Sequence, residues 1–426
     1  MVPRIRASGN ALIRAVVLAS KVAEGRFELQ GIGAWRGQTW RWTAGVATLV
    51  VAAGAWAAPF RPADDAQVLE RLPGRGTPQF SRLKSLQAAA AQAPNDLGRA
   101  TALASAYIQA SRVDGDPRFL GYAQAALAPW WQVPEAPSSV LMQRATILQS
   151  MHQFEPAIAD LDRVSQREPK NAQALLIRAT LRTVQGRYAP ARADCDRLRG
   201  LVSAFYVVAC GATIDSVNGG AGAAYEALVQ AFAATPRVDG ATRAWVETLL
   251  GEIAHRRGDP VAERHFRAAL DTGERDLYLL GAYSDWLLDR GRAPEVVALL
   301  QNESRSDPLL LRLALAQKAL QSPEAAASIE TLRMRFDASH ARGDTVHQRE
   351  NARFELGLRG DARSALALAL ANWQVQREPA DLRILAQAAT AAGDAAAIGI
   401  VQRWLAETRF EYPLVAALVN GKGATK

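Results

Sequence analysis

The chain has 426 residues, 49% of them hydrophobic and 22% charged, with a formal net charge of +8. That length accommodates a large core or many stacked units, and the composition is that of an ordinary soluble protein. The charge carries less information than it suggests. Residues 1–57 hold seven basic residues (Arg4, Arg6, Arg14, Lys21, Arg26, Arg36, Arg41) against Glu24 and Glu28, so five of the eight net charges sit there. The remainder has no basic block interleaved with aromatics, which sets nucleic-acid binding aside.

Residues 1–57 read as an N-terminal leader. The only long apolar run is Thr43 to Ala58, preceded by Arg36 and Arg41 and ending in the small-x-small site Ala55-Trp56-Ala57. Basic flank, apolar centre and small-residue site are the layout of a secretory signal. Pro59 disfavours cleavage after Ala58, so the expected cut follows Ala57, releasing an exported, periplasmic or cell-envelope protein. Its sixteen residues fall short of the roughly twenty that a span needs. The alternative is an inner-membrane anchor formed by residues 43–58, the one membrane association expected of the chain.

Residues 58–96 read as linker and capping helix. Four prolines (59, 62, 73 and 78) mark the linker, and Phe80 to Ala93 is the helix. Ala and Leu are abundant and β-branched runs scarce from there on, which favours helix. A degenerate first unit places Leu103, Ala104 and Tyr107 on one helix and Phe119 to Leu127 on the next. Two clear units follow. The first carries Leu141, Arg144-Ala145, Leu148, Phe154, Ala157, Leu161 and Pro169. A shift of 34 residues lays it without a gap on Leu175, Arg178-Ala179, Arg182, Tyr188, Ala191, Cys195 and Ser203.

The physical content of the repeat is legible. Leu141 and Leu148 face the partner helix, Ala145 and Ala157 let two backbones approach, Gly186 allows the tight turn, and Pro169 stops the second helix. One such unit cannot bury its apolar faces, so copies must stack. Further units run from Phe205 to Val238, from Leu249 through Phe266 to Ala269, from Leu280 to Leu300, and from Leu309 to Phe336. After an interruption at His340 to Val346 come a unit with Gly360-Asp361 and Ala365, and a last one with Leu385-Ala386 and Trp404.

The 34-residue period and this residue pattern resemble the tetratricopeptide repeat. The resemblance implies an all-α, right-handed α-solenoid of about nine helix pairs over residues 97–412, with 413–426 as a C-terminal tail.

No catalytic motif emerges. His152, His255, His265, His340 and His347 lack metal-ligand spacing, no GxSxG or P-loop occurs, and no cofactor is expected. Gly219-Gly220-Ala221-Gly222 stands at a helix–helix turn without the strand or lysine of a phosphate loop. Cys195 and Cys210 fall on helices that pack together, which leaves a disulfide and two buried thiols both open.

The resemblance also implies that the first helices line a concave groove and that partners lie in it. Its offsets put Thr146 and Gln149, then Thr180, then Thr213 on that face, with no Lys or Arg at the groove positions of the clear units. This departs from relatives that grip a peptide carboxylate with basic residues. Further along, Trp245, Glu252, His255, Arg256, Tyr278 and Asp285 fall on the same side, mixing aromatic and charged groups as interface hot spots do. The expectation is a non-catalytic scaffold or adaptor of the cell envelope binding a protein or peptide partner. The alternatives are a structural subunit of an envelope complex and a glycan- or peptide-binding module.

Overall fold

The computed structural model describes residues 78–421 except 115, 117, 236, 344 and 345, together with residue 64. The expectations for the leader and for most of the linker lie outside the described residues.

Within them the chain is helical throughout, with no named strand. Helix α1 (Pro78–Ala91) precedes nine pairs: α2 (Leu97–Asp114) with α3 (Arg118–Ala126); after the single turn α4 (Ala128–Trp131), α5 (Ser138–Ser150) with α6 (Phe154–Arg167); α7 (Ala172–Val184) with α8 (Tyr188–Arg197); and α9 (Ala204–Asp215) with α10 (Ala221–Ala233). Then come α11 (Gly240–Arg256) with α12 (Ala262–Asp271), α13 (Leu277–Leu288) with α14 (Ala293–Leu300), and α15 (Asp307–Ala319) with α16 (Ala325–Ala341). The eighth pair joins α17 (Gln348–Phe354), extended by a π-turn (Glu355–Arg359), to α18 (Ala362–Val375); the ninth joins α19 (Pro379–Ala392) to α20 (Ala395–Thr408), and α21 (Pro413–Val419) closes the array.

The repeat chemistry explains each pair. Ala145, Ala157, Ala179 and Ala191 are buried where the paired helices meet, with Leu141, Leu161 and Leu175 beside them. Burying each such leucine contributes about 1.5–3 kcal/mol. Gly186 and Gly258, at φ +72 and +76, turn the chain between first and second helices in the left-handed region that glycine enters without penalty. The arginines of the repeat have a structural purpose that the apolar pattern does not reveal. Arg144 donates through Nε and Nη2 to Asp160, both at 2.7 Å, and one repeat later Arg178 donates to Asp194 at 2.9 and 2.5 Å. Both pairs are buried and bridge the two helices of a unit. Arg144 Nη1 also donates to the carbonyls of Trp131 and Val133, which ties the end of α4 to the second pair.

Successive first helices touch one another from α11 through α13, α15 and α17 to α19, while successive second helices stand further apart. The first helices therefore lie on the inside of a curve. The curve is tight enough for the array to meet itself. One apolar core runs from Leu175, Tyr188 and Ile214 of pairs three and four to Ala365, Trp373, Leu385, Val401 and Val415 of pairs eight, nine and the terminal helix. Polar contacts fasten the same seam. Arg377 donates its backbone N–H to the Val184 carbonyl at 2.6 Å, and Glu411 Oε1 caps the Ala221 N–H at 3.1 Å. Arg383 pairs with Asp289, and Trp404 lies against Gly186 and Tyr188, with 6.1 Å between the two ring centroids.

The structure settles the pairing of the two cysteines. Cys195 and Cys210 form a disulfide, with Cα atoms 5.7 Å apart, joining α8 to α9. Trp286 is core, 2% exposed, between the Arg290 and Arg292 guanidiniums. The tail boundary at 413 is corrected: Pro413 starts α21, where its missing N–H costs nothing, and Val415 and Val419 are buried. The π-turn ends at Gly360, and Lys318 Nζ donates to the carbonyls of Gly357 and Leu358 at 2.9 Å each. A side chain thus satisfies carbonyls that the wider turn would leave open.

Candidate partner-binding groove

The inner face is built from the first helices, and its character changes along the array. On α5, α7 and α9 the threonines turn inward to their own helices. Thr146 donates to the Met142 carbonyl at 2.9 Å, Thr180 to Leu176 at 2.9 Å and Thr213 to Ala209 at 3.0 Å. Their hydroxyl protons are thereby used within each helix. Thr146 and Gln149 are buried, so the expected hydroxyl-rich strip is narrower than the spacing implies.

Aromatic rings mark the N-terminal halves of α9, α11 and α13. Tyr206, Trp245 and Tyr278 are all half-buried, and Trp245 stands edge-on to Phe205 at 6.4 Å. Phe232 lies beside them with the Arg243 guanidinium 5.1 Å above its ring. Of the residues expected on this face, Trp245 and Tyr278 keep accessible area, as do Thr180, Thr213, Glu252, His255 and Asp285; Tyr206 and Phe232 were not among those expected.

The charged residues one or two turns further along are engaged inside the protein. Tyr278 donates its hydroxyl to Glu252 at 2.6 Å. His255 Nε2 lies 2.8 Å from Asp289, whose carboxylate also receives Arg383. Asp285 holds Arg312 at 2.5 Å and Arg353 at 2.6 Å, so one carboxylate links α13, α15 and α17. Burial pushes the Asp285 carboxyl up, but the Arg312 and Arg353 guanidiniums outweigh it and hold it below the usual carboxylate range. Asp289 likewise stays low because His255 and Arg383 outweigh its burial.

A second cluster lies between α17 and α19. Arg349 meets Glu350 at 3.2 Å, Glu378 at 2.9 Å and Asp381 at 3.3 Å. Three carboxylates share one guanidinium here. Glu350, with Arg349 against it, is held at about 2 despite its burial. For Glu378 burial wins over Arg349, and the neighbouring Asp381 adds to it, raising it to about 7. Asn372 donates to Asp381 at 2.8 Å, yet burial leaves that carboxyl raised as well.

The structure therefore brings Glu252, His255, Tyr278 and Asp285 onto one inner surface, with Arg256 bonded to Ser216 Oγ at 3.1 Å. Over pairs five to nine the middle of the groove is filled by the chain's own charges. Asp289, Arg312, Arg349, Arg353, Glu378, Asp381 and Arg383 were absent from the sequence reading. The signal that could have found them is a charged residue at the inner offset of each later first helix.

No family model matches the chain, and no curated protein does. Among solved structures, the chain is similar to the Cut9–Hcn1 hetero-tetramer of APC/C, at 14% identity and a TM-score of 0.38. The match covers 77% of this chain and 52% of that one, so the chain spans about half the neighbour's length. Over the described residues the chain is an all-α array of stacked helix pairs.

Proposed function

We propose that the protein is a non-catalytic scaffold of the cell envelope, exported by its leader, which binds a protein partner on its inner rim. The observation that carries this reading is the run of half-buried Tyr206, Trp245 and Tyr278 on three successive first helices. Large amphipathic rings on a rigid backbone gain contact area at small ordering cost. The engaged charges behind them fix the helices, so the rim is preorganised. The Cys195–Cys210 disulfide supports the export reading, since such bonds persist in oxidising compartments.

The test is a pull-down from envelope extract with the full chain and with a Tyr206→Ala/Trp245→Ala variant whose helicity matches it by circular dichroism. A partner held by the first and reduced at least about tenfold by the second fits two lost hot-spot residues. Equal retention by both would remove the rim from the function. N-terminal sequencing of the mature protein checks export, and an intact Met1 would overturn cleavage after Ala57.

A further inference from the structure

Three consecutive helices bring a hydroxyl, an imidazole and a carboxylate into one hydrogen-bonded chain. Tyr225 lies on α10, Glu247 on α11 and His265 on α12. Tyr225 donates its hydroxyl proton to His265 Nε2 at 2.7 Å, and His265 Nδ1 donates to Glu247 Oε2 at 2.7 Å. The carboxylate can only accept, so the ring proton sits on Nδ1 and Nε2 is left as a base. His265 is 5% exposed, whereas Tyr225 is half-buried and keeps surface that a donor can reach. The Tyr225 ring packs against two neighbouring apolar clusters and stands edge-on to the imidazole, 5.6 Å between centroids, so packing holds the geometry.

A tyrosine–histidine bond alone would tie α10 to α12. The carboxylate behind the imidazole adds to this, because it fixes the tautomer and stabilises the imidazolium that forms when the ring takes a proton. A nucleophile within hydrogen-bond reach of a base, with the base oriented by a third group, is the arrangement that activates a hydroxyl for attack. The other charges around this hydroxyl are Arg257, whose guanidinium lies 5.8 Å from the ring centroid, Arg264 and Asp259. Burial outweighs the two arginines and raises the hydroxyl above its ordinary value. The phenol is therefore protonated at neutral pH and reacts through a base, not as a free phenolate.

We propose that Tyr225 is a covalent acceptor for activated acyl groups, with His265 as its general base and Glu247 as the residue that positions the base. The phenol oxygen bonds to the acyl carbon while its proton passes to His265 Nε2. The bond from the acyl carbon to its carrier breaks, and the departing carrier takes that electron pair and then the proton from His265. The product is an O-acyl tyrosine, so the chain carries the group, a property beyond the scaffold reading.

The test treats the full chain with N-acetylimidazole, whose departing group is imidazole, and follows acetylation of each tyrosine by peptide mass mapping. Tyr122, 52% exposed, is the internal reference. A positioned base contributes about 10²–10⁴-fold, so near neutral pH Tyr225 is expected to react at least about tenfold faster than Tyr122 despite its smaller exposure. His265→Gln and Glu247→Gln, with helicity matching the wild type, each slow Tyr225 at least about tenfold and leave Tyr122 unchanged. An unassisted phenol reacts as its phenolate and speeds up with pH towards about 10. The Tyr225 rate instead levels off once His265 is neutral, a profile that a merely structural hydrogen bond does not produce. Tyr225 reacting no faster than Tyr122 in the wild type, a comparison that needs no variant to fold, would overturn the proposal. So would a Tyr225 rate that survives His265→Gln.

Discussion

Replacing Gly186 by alanine tests the closure of the array against an internal control. Gly186 and Gly258 occupy the same turn in pairs three and five, at φ +72 and +76. An alanine at either position bears the left-handed strain, about 1 kcal/mol. At Gly258 nothing lies within 4 Å of the added methyl, so the cost ends there. At Gly186 the methyl overlaps the Trp404 indole, which must move. That ring sits 5.2 Å edge-on from Trp373, 6.1 Å from Tyr188 and 5.3 Å beneath Arg377. Two aromatic pairs and one cation–π contact are worth roughly 2 kcal/mol together. Gly186→Ala is therefore expected to destabilise by about 3 kcal/mol and Gly258→Ala by about 1 kcal/mol. Urea unfolding measures the totals. Hydrogen exchange over residues 395–408 localises the difference, because only the first variant should raise exchange in a helix more than 200 residues away. Equal losses in both variants, with unchanged exchange in α20, would refute the seam.

Three further outcomes follow from the same contacts. Arg178→Met leaves Asp194 buried without its main partner, although Arg182 still reaches it at 2.7 Å, and should cost about 3 kcal/mol in urea unfolding. Reducing the Cys195–Cys210 bond removes a cross-link spanning 15 residues, worth about 3 kcal/mol, so melting with and without reductant should differ by several degrees. The Arg349 cluster sets an upper pH limit. Glu378 is raised above its unfolded value, so its contribution is complete below about pH 4.5 and is lost as pH rises through about 7, up to about 3 kcal/mol. Glu350, Asp285 and Asp289 have lowered values, so their contribution is present above the unfolded carboxylate range and is lost as pH falls below it, for Glu350 through about 2. Stability measured from pH 3 to 9 should peak between these windows, and Glu378→Gln should flatten the alkaline side.

The helix pairs were legible because their physics is local. A spacing of 34 residues, small residues at close approaches and glycine at the turns are all written within one unit. Arg144 and Arg178 were visible as repeat positions, but nothing in the apolar pattern singled out their partners Asp160 and Asp194 on the second helix. Burial of an ion pair depends on the neighbouring unit, which periodicity does not describe. The closure was not legible at all. Ala221 and Glu411 are 190 residues apart, and nothing in either segment marks the other. For the same reason Glu252, His255, Arg256 and Asp285 read as free groove residues. Their partners lie on neighbouring first helices, contacts between units that periodicity does not describe. Trp404 read as one more packing residue of the last unit, whereas it sits at the seam.

The seam changes how the protein carries tension. An open solenoid lengthens under load by small rotations between neighbouring units, every unit sharing the strain. Here pairs eight and nine are fastened to pairs three to six through Arg377, Arg383, Trp404 and Glu411. A pull applied between α1 and α21 passes across those fastenings, and the helices enclosed between them are shielded from it. The response should be stiff at first, then give way in one step as the fastenings part and the sheltered pairs release their length.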